Sequence, residues 1–101
     1  MPWTKLANAS DLAQGTLMEV EHGPSQYALC NVGGELRALA GACPHQGGPL
    51  GEGALHDGVV TCPWHMWEFD SATGECIFNR AVAVPVYPVR MEDGEVLVDI
   101  A

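Results

Sequence analysis

Cysteine and histidine occur together in two short segments near the middle of the chain. The first is Cys43-Pro44-His45 and the second is Cys62-Pro63-Trp64-His65, with residues 46–61, 16 in all, between them. Thiolate and imidazole are side chains that bind zinc and iron readily. A proline beside each cysteine stiffens its loop, which lowers the entropy lost when a metal is bound. The spacing therefore predicts two metal-binding loops, each presenting one sulfur and one nitrogen donor.

This donor set fits two kinds of metal centre. Two cysteines and two histidines can hold one tetrahedral zinc or a two-iron cluster. Zinc fingers usually pair cysteine with cysteine and histidine with histidine, whereas both pairs are mixed here. Mixed pairs suit a cluster in which one iron takes both thiolates and the other takes both imidazoles. The donor set thus leaves both centres open and favours the cluster.

The residues around these donors resemble the Rieske 2Fe–2S family. The runs that carry the resemblance are Cys43-Pro44-His45-Gln46-Gly47-Gly48-Pro49-Leu50 and Cys62-Pro63-Trp64-His65-Met66-Trp67-Glu68-Phe69-Asp70, followed by Ser71-Ala72-Thr73-Gly74. The resemblance extends over essentially the whole chain and implies one Rieske 2Fe–2S cluster. It implies that Cys43 and Cys62 ligate the inner iron of that cluster. It also implies that His45 and His65 ligate the outer iron.

The resemblance further implies a low reduction potential. The high-potential branch of the family joins its two loops by a disulfide, but this chain has Gly48 and Trp64 at those positions. That branch also carries a serine and a tyrosine, whose hydroxyls bond sulfur, where this chain has Trp67 and Phe69. Each lost O–H···S bond removes stabilisation of the electron-rich reduced state. We therefore expect a midpoint near the bottom of the Rieske span, which is roughly −150 to +300 mV.

One position departs from the family pattern. The common sequence after the second histidine is Gly-Trp, whereas this chain has Met66-Trp67. If residue 66 needs a positive φ, methionine carries a conformational cost that glycine avoids. An apolar side chain beside an exposed imidazole is alternatively part of a docking surface.

Short strands separated by glycine turns predict an all-β fold. Gly33-Gly34 predicts a hairpin between residues 26–32 and 35–41, and Asp93-Gly94 predicts a second between strands at about 82–91 and 95–100. Pro85 and Pro88 lack the N–H that a central strand donates, so the strand at 82–91 is an edge strand or is interrupted. Residues 15–20 form an early strand, and residues 8–12 a helical turn capped by Ser10.

Composition divides the chain into a base and an insertion. Residues 41–80 are rich in Gly, Cys, His and Trp, whereas both flanks read as plain strand. We expect a single Rieske-type domain over residues 1–101. Its antiparallel β-sheet base takes in about 1–40 and 81–101, and a small cluster-binding subdomain is inserted at about 41–80. Cys30 and Cys76 lie outside the motif and are expected to be buried structural thiols.

Charge and length limit the partners. The chain has 101 residues and a formal net charge of −9, which repels nucleic acid and anionic lipid and attracts basic protein patches. It contains no apolar run that could cross a membrane, and its first residues have neither the basic nor the apolar region of an export signal. We expect a cytoplasmic monomer that binds neither nucleic acid nor membrane.

The family resemblance implies a one-electron carrier rather than an enzyme. Such a ferredoxin takes electrons from an NAD(P)H-dependent flavoprotein reductase and passes them to a terminal oxygenase. A terminal oxygenase needs a further domain with a mononuclear iron site, and 101 residues leave no room for one. Two alternatives are the small subunit of an assimilatory nitrite reductase, some of which lack the cluster ligands, and a zinc-stabilised interaction module.

Overall fold

A computed structural model describes residues 3–44, 47–64 and 66–100 of the chain. Twelve strands make up nearly all of the regular structure in these residues. They are β1 (Trp3–Asn8), β2 (Leu17–His22), β3 (Ser25–Val32), β4 (Glu35–Ala40), β5 (Ala54–His56), β6 (Val59–Thr61), β7 (Glu68–Asp70), β8 (Glu75–Cys76), β9 (Asn79–Ala83), β10 (Val86–Tyr87), β11 (Val89–Glu92) and β12 (Glu95–Asp99). Two 3-10 helices, Ala9–Asp11 and Leu50–Glu52, complete it. The all-β prediction is confirmed.

The strands form three antiparallel sheets. The sheet orders are β1-β12-β11, β10-β4-β3-β2 and β5-β6-β7-β8-β9. The last of these comes from one continuous stretch, Ala54–Ala83, whereas each of the other two combines strands from both ends of the chain. The division into a base and an inserted subdomain stays a prediction, and this topology is compatible with it.

Two hydrophobic cores pack on opposite faces of the four-stranded sheet. Successive residues of β3 point to opposite faces. Ala28 and Cys30 enter a core with residues of the five-stranded sheet, such as Phe69. Leu29 enters a second core with Val96 of the three-stranded sheet. The four-stranded sheet is therefore the middle layer, and the first of these cores lies next to the two predicted metal-binding loops.

Both predicted hairpins form, and both use left-handed turns. β3 and β4 pair with Val32 opposite Glu35, and Gly33 and Gly34 between them have φ values of 62° and 98°. Asp93 and Gly94 join β11 and β12 with φ values of 52° and 76°. Two central residues with positive φ match the twist of the strands they connect.

The proline-containing segment is interrupted, as predicted, and it connects all three sheets. β9 belongs to the five-stranded sheet, β10 pairs with β4, and β11 pairs with β12. Pro85 lies between the first two of these strands, and Pro88 lies between β10 and β11. Because proline has no N–H to donate, each one interrupts the strand. Its carbonyl still accepts a hydrogen bond from the next sheet, Pro85 from Ala40 at 2.9 Å and Pro88 from Asp99 at 3.0 Å.

The predicted turn near the N-terminus is a 3-10 helix with a different cap. Asn8 occupies the N-cap position and makes no side-chain cap hydrogen bond, while Ser10 lies inside the helix. The expectation that Ser10 caps this turn is wrong, because the helix begins one residue before it. No helix among the described residues has the length and apolarity required to cross a membrane.

Candidate metal centre

The first loop holds Cys43 in a closed backbone turn after β4. The N–H of Cys43 donates to the carbonyl of Gly48 at 2.8 Å, and the N–H of Gly47 donates back to the carbonyl of Cys43 at 2.6 Å. A bridge between Ala42 and Pro49 closes the base of the loop. Cys43 is only 2% exposed. The backbone on both sides of the loop is thus held together, and the Cys43 thiol lies inside the protein.

The second loop holds Cys62 between β6 and β7. These strands form a hairpin, and the N–H of Cys62 donates to the carbonyl of Trp67 at 2.7 Å across the mouth of the loop. The N–H of Trp64 points back and donates to Sγ of Cys62 at 3.4 Å. Cys62 has no solvent exposure. The loop therefore buries the sulfur and supplies it with one backbone donor.

The two cysteines lie side by side. Cys43 and Cys62 share one buried core, and Cys43 is among the neighbours that shift the pKa of the Cys62 thiol. Burial raises the pKa of the Cys62 thiol, the Trp64 N–H lowers it, and the neighbouring Cys43 raises it further. Two thiols held together and shielded from water are costly to ionise without a cation. A bound metal ion would remove that cost.

The loops touch at Gly48, where there is no room for a side chain. A Cβ on Gly48 would lie 2.9 Å from Sγ of Cys62 and 3.0 Å from Cγ of Trp64. Glycine is therefore required for the backbone to approach the sulfur this closely. Gly48 and Trp64 are also the positions that carry the inter-loop disulfide in the high-potential branch. They are adjacent here, and an indole takes the place of that bridge.

The observed geometry fits the cysteine half of a two-iron cluster. Cys43 and Cys62 are both buried, the N–H of Trp64 donates to Sγ of Cys62, and Gly48 leaves space beside that sulfur. His45 and His65, the predicted ligands of the outer iron, lie outside the described residues. Among residues 3–44, 47–64 and 66–100, no group of three or more His, Cys, Asp and Glu side chains is placed to hold a metal ion. The four-ligand set thus stays a prediction.

Met66 adopts a positive φ, the backbone conformation in which methionine carries a cost that glycine avoids. Its φ is 63°, in the left-handed region, and its side chain is 66% exposed. Trp64 and Phe78 are also exposed apolar side chains. Phe78 packs edge-to-face on Trp67, with ring centroids 6.0 Å apart. We call Trp64, Met66, Trp67 and Phe78 the apolar rim of the second loop.

Phe78 was missed by sequence reasoning because it lies outside the metal-binding motif. It belongs to the turn between β8 and β9, and only the pairing of β8 with β7 brings it to the rim. Nothing in the sequence around Phe78 indicates that its side chain lies beside Trp67 in the apolar rim.

The other two cysteines are buried, as predicted. Cys30 and Cys76 have no solvent exposure and are not in disulfides. Burial raises the pKa of the Cys30 thiol, against opposing effects of a hydrogen bond with Ser71 and the charge of Arg37. Arg37 in turn donates to Oγ of Ser71 at 2.7 Å. This network connects the four-stranded sheet to the turn after β7.

Comparison with known proteins decides the family. The model of the Rieske [2Fe-2S] domain matches residues 2–88. The chain belongs to the Rieske family. As a Rieske protein it carries a single 2Fe–2S cluster and transfers electrons without being a catalyst itself.

Three relatives illustrate the similarity. The ferredoxin component of biphenyl 2,3-dioxygenase from Rhodococcus jostii is 38% identical over 101 residues, which is 99% of this chain and 94% of that protein. A chain in the complex of reduced oxygenase and oxidised ferredoxin of carbazole 1,9a-dioxygenase has a TM-score of 0.88 at 33% identity, covering 97% of this Rieske protein and 93% of that chain. A Mycobacterium tuberculosis chain, provisionally described as the small subunit of an NADH-dependent nitrite reductase, has a TM-score of 0.84 at 28% identity, covering 95% and 92%.

Proposed function

We propose that this Rieske ferredoxin carries single electrons from an NAD(P)H-dependent flavoprotein reductase to a terminal oxygenase. The observation that carries the proposal is the pair of buried, adjacent thiols of Cys43 and Cys62, with Gly48 packed against the second. Similarity to the ferredoxin component of biphenyl 2,3-dioxygenase, which spans 99% of the chain, supports the assignment to an oxygenase system. The four proposed ligands are Cys43, His45, Cys62 and His65.

The cluster, when bound, supplies a one-electron redox couple. The residues of the chain hold it and control its surroundings. Cys43 and Cys62 would bind the inner iron, and His45 and His65 the outer iron. Cys43 and Cys62 are at most 2% exposed, so water has little access to their sulfurs. The N–H of Trp64 donates to Sγ of Cys62, and it would stabilise the negative charge there when the bound cluster is reduced.

Partner recognition would use the apolar rim and the negative surface. Each of the four Lys and Arg side chains pairs with a glutamate, in Lys5–Glu95, Arg37–Glu35, Arg80–Glu75 and Arg90–Glu92. The remaining carboxylates leave a strong negative field, since the formal net charge is −9. Such a protein associates quickly with basic surfaces, and the association weakens as salt is added. A small apolar contact then suits a transient electron-transfer complex.

The ligand assignment has a matched control within the chain. All four cysteines are buried. Cys43→Ser and Cys62→Ser should lose the visible absorbance and rhombic EPR signal of the cluster, whereas Cys30→Ala and Cys76→Ala should keep two irons and two acid-labile sulfides per chain. Cluster retention in Cys62→Ser would contradict the assignment. His45→Cys, if it assembles, should have a lower midpoint, because thiolate is anionic and imidazole is neutral.

The carrier function is tested by electron delivery. The dithionite-reduced protein should reduce the oxygenase component of carbazole 1,9a-dioxygenase in stopped-flow measurements, with a rate that falls as ionic strength rises. A colourless preparation containing zinc would overturn the proposal. We also propose that the protein is a cytoplasmic monomer, that residues 1–101 form one domain, and that residues 41–80 form its cluster-binding subdomain.

Similarity to the Mycobacterium tuberculosis chain supports a second candidate. In that role the protein would be the small subunit of an assimilatory nitrite reductase. The presence of Cys43, His45, Cys62 and His65 favours the carrier, because some such subunits lack cluster ligands. Co-purification with a large sirohaem subunit would reverse this preference.

A further inference from the structure

The exposed sulfur-containing side chains of the described residues are both methionines. Met66 is 66% exposed and Met91 is 57% exposed, whereas Met18 is half-buried. The cysteines, by contrast, are all buried. A dissolved oxidant therefore reaches these two thioethers before it reaches any thiol of the described residues.

The two exposed methionines differ in their surroundings. Met66 belongs to the apolar rim, between Trp64 and Trp67 in the second loop. Met91 lies on β11 of the three-stranded sheet, on the far side of the middle layer from the loops. Similar exposure in two different places makes Met91 a natural control for Met66.

The loop holds Met66 at the surface. On one side, the Trp64 N–H bonds to Sγ of Cys62, and on the other, the Trp67 carbonyl accepts the Cys62 N–H at 2.7 Å. Between these two hydrogen bonds, residue 66 has a φ of 63° and is 66% exposed. Its thioether thus stays accessible and in the surface that we propose for partner contact.

We propose that Met66 is a site of reversible oxidation by hydrogen peroxide that weakens electron delivery to the oxygenase. Hydrogen peroxide is the two-electron reduction product of the dioxygen that an oxygenase consumes. Its O–O bond breaks, one oxygen forms the S–O bond of methionine sulfoxide, and the other leaves as water. The sulfur loses two electrons and the peroxide gains them. The inference rests on the proposed function.

The effect follows from the polarity of the product. Methionine sulfoxide is polar, whereas the thioether is apolar and suits an apolar contact with a partner. Docking would remove water from the sulfoxide oxygen without replacing its hydrogen bonds. Because Met66 is exposed, its oxidation leaves the buried core unchanged. The cost therefore falls on partner binding and not on folding.

The test compares the wild type with Met66→Leu and Met91→Leu after limited treatment with hydrogen peroxide. Peptide mass spectrometry measures sulfoxide at each methionine, and visible absorbance selects samples that keep the cluster. Electron delivery to the oxygenase component of carbazole 1,9a-dioxygenase is then measured, each variant against its own untreated sample. We expect the half-saturating ferredoxin concentration to rise about fivefold in the wild type and Met91→Leu, but not in Met66→Leu. Methionine sulfoxide reductase should restore the wild type.

Two further measurements keep the inference separate from the proposed function. Met66 should oxidise faster than Met18, and this comparison of oxidation rates requires no partner protein. Met66→Gln should raise the half-saturating concentration without peroxide, while Met91→Gln should not. The inference would be overturned if peroxide raised the half-saturating ferredoxin concentration equally in the wild type and Met66→Leu. It would also be overturned if Met66 oxidised no faster than Met18. Failure of untreated protein to reduce the oxygenase would instead count against the proposed function.

Discussion

The backbone N–H of Trp64 donates a hydrogen bond to Sγ of Cys62, with the nitrogen 3.4 Å from the sulfur. The same sulfur also lies close to Gly48 of the first loop, where a Cβ would be 2.9 Å away. Cys62 is thus confined by its own loop and by the first loop at once. The position of one sulfur depends on the packing of two loops, which makes the contact at Gly48 a sensitive point.

Gly48→Ala should reduce cluster content. The added methyl group would meet Cys62 and Trp64 closer than side chains normally pack, so the thiol must move. We expect less than half the iron and sulfide per chain of the wild type, measured after anaerobic reconstitution. Gly47→Ala is the control, because that position has a φ of 75° but nothing within 4 Å of a Cβ. It should cost about 1 kcal/mol of stability and keep the cluster. Equal cluster loss in both variants would point to backbone strain instead.

Met66→Gly should make the protein more stable. Met66 is held at a φ of 63°, where a residue with a Cβ is strained by about 1–2 kcal/mol and glycine is not. Allowing for the greater freedom of glycine in the unfolded chain, we expect a gain of about 1 kcal/mol, or about 4 °C in the thermal midpoint by circular dichroism. Asp57→Gly, at a φ of 51°, should gain less because aspartate tolerates this region better. An unchanged midpoint in Met66→Gly would show that the loop relieves the strain.

The hairpins and the strand breaks could be predicted because their causes are local. Gly33-Gly34 and Asp93-Gly94 each supply two residues with positive φ. Pro85 and Pro88 interrupt the strand because they have no N–H to donate. The assignment of β9, β10 and β11 to three different sheets could not be predicted. It depends on the core against which each strand packs in the folded protein. The alternation of apolar and polar residues does not specify the neighbouring strand.

The metal-binding motif could be identified from spacing, but its surroundings could not. The positive φ of Met66 was foreseeable, since glycine is common at that position. The contact between Gly48 and Trp64 required the two loops to be placed together, although 15 residues separate them in the sequence. The approach of Glu52 to Glu19 likewise depends on the packing of the 3-10 helix Leu50–Glu52 against β2.

Protonation of Glu19 should contribute to the free energy of unfolding, and this contribution should decrease as pH rises. Burial raises the pKa of Glu19, as do a hydrogen bond with Glu52 and the charges of Glu52 and Glu21. Oε1 of Glu19 is also buried without a hydrogen-bond partner. The folded state therefore holds the proton more tightly than the unfolded state, whose pKa is 4.5. This contribution is complete below pH 4.5 and is lost as pH rises through the higher folded-state pKa.

Glu19→Gln should therefore stabilise the protein at neutral pH by roughly 0.5 kcal/mol, with a smaller gain in mild acid. Thermal midpoints of the variant and the wild type, compared at pH 5 and pH 7.5, measure the difference. Asp11→Asn, at an exposed carboxylate in the other 3-10 helix, is the control for the loss of one negative charge. A Glu19→Gln gain that is equal at both pH values would rule out titration of this group as the cause.

The reduction potential should lie near the bottom of the Rieske span, and adding one hydroxyl should raise it. Phe69 is fully buried in the same core as Cys43 and Cys62, and it occupies the position where the high-potential branch has a tyrosine. In Phe69→Tyr, a new O–H···S bond would stabilise the reduced cluster. We expect protein-film voltammetry to give a midpoint below zero for the wild type. The variant should be higher by about 60 mV, the one-electron equivalent of a 1.4 kcal/mol hydrogen bond.

Phe78→Tyr is the matched control for this change. It adds the same hydroxyl to an exposed ring of the apolar rim, where Phe78 packs on Trp67. Its midpoint should equal that of the wild type. An equal rise in both variants would mean that added polarity, and not a bond to sulfur, sets the potential. A wild-type midpoint well above zero would refute the expectation of a low reduction potential.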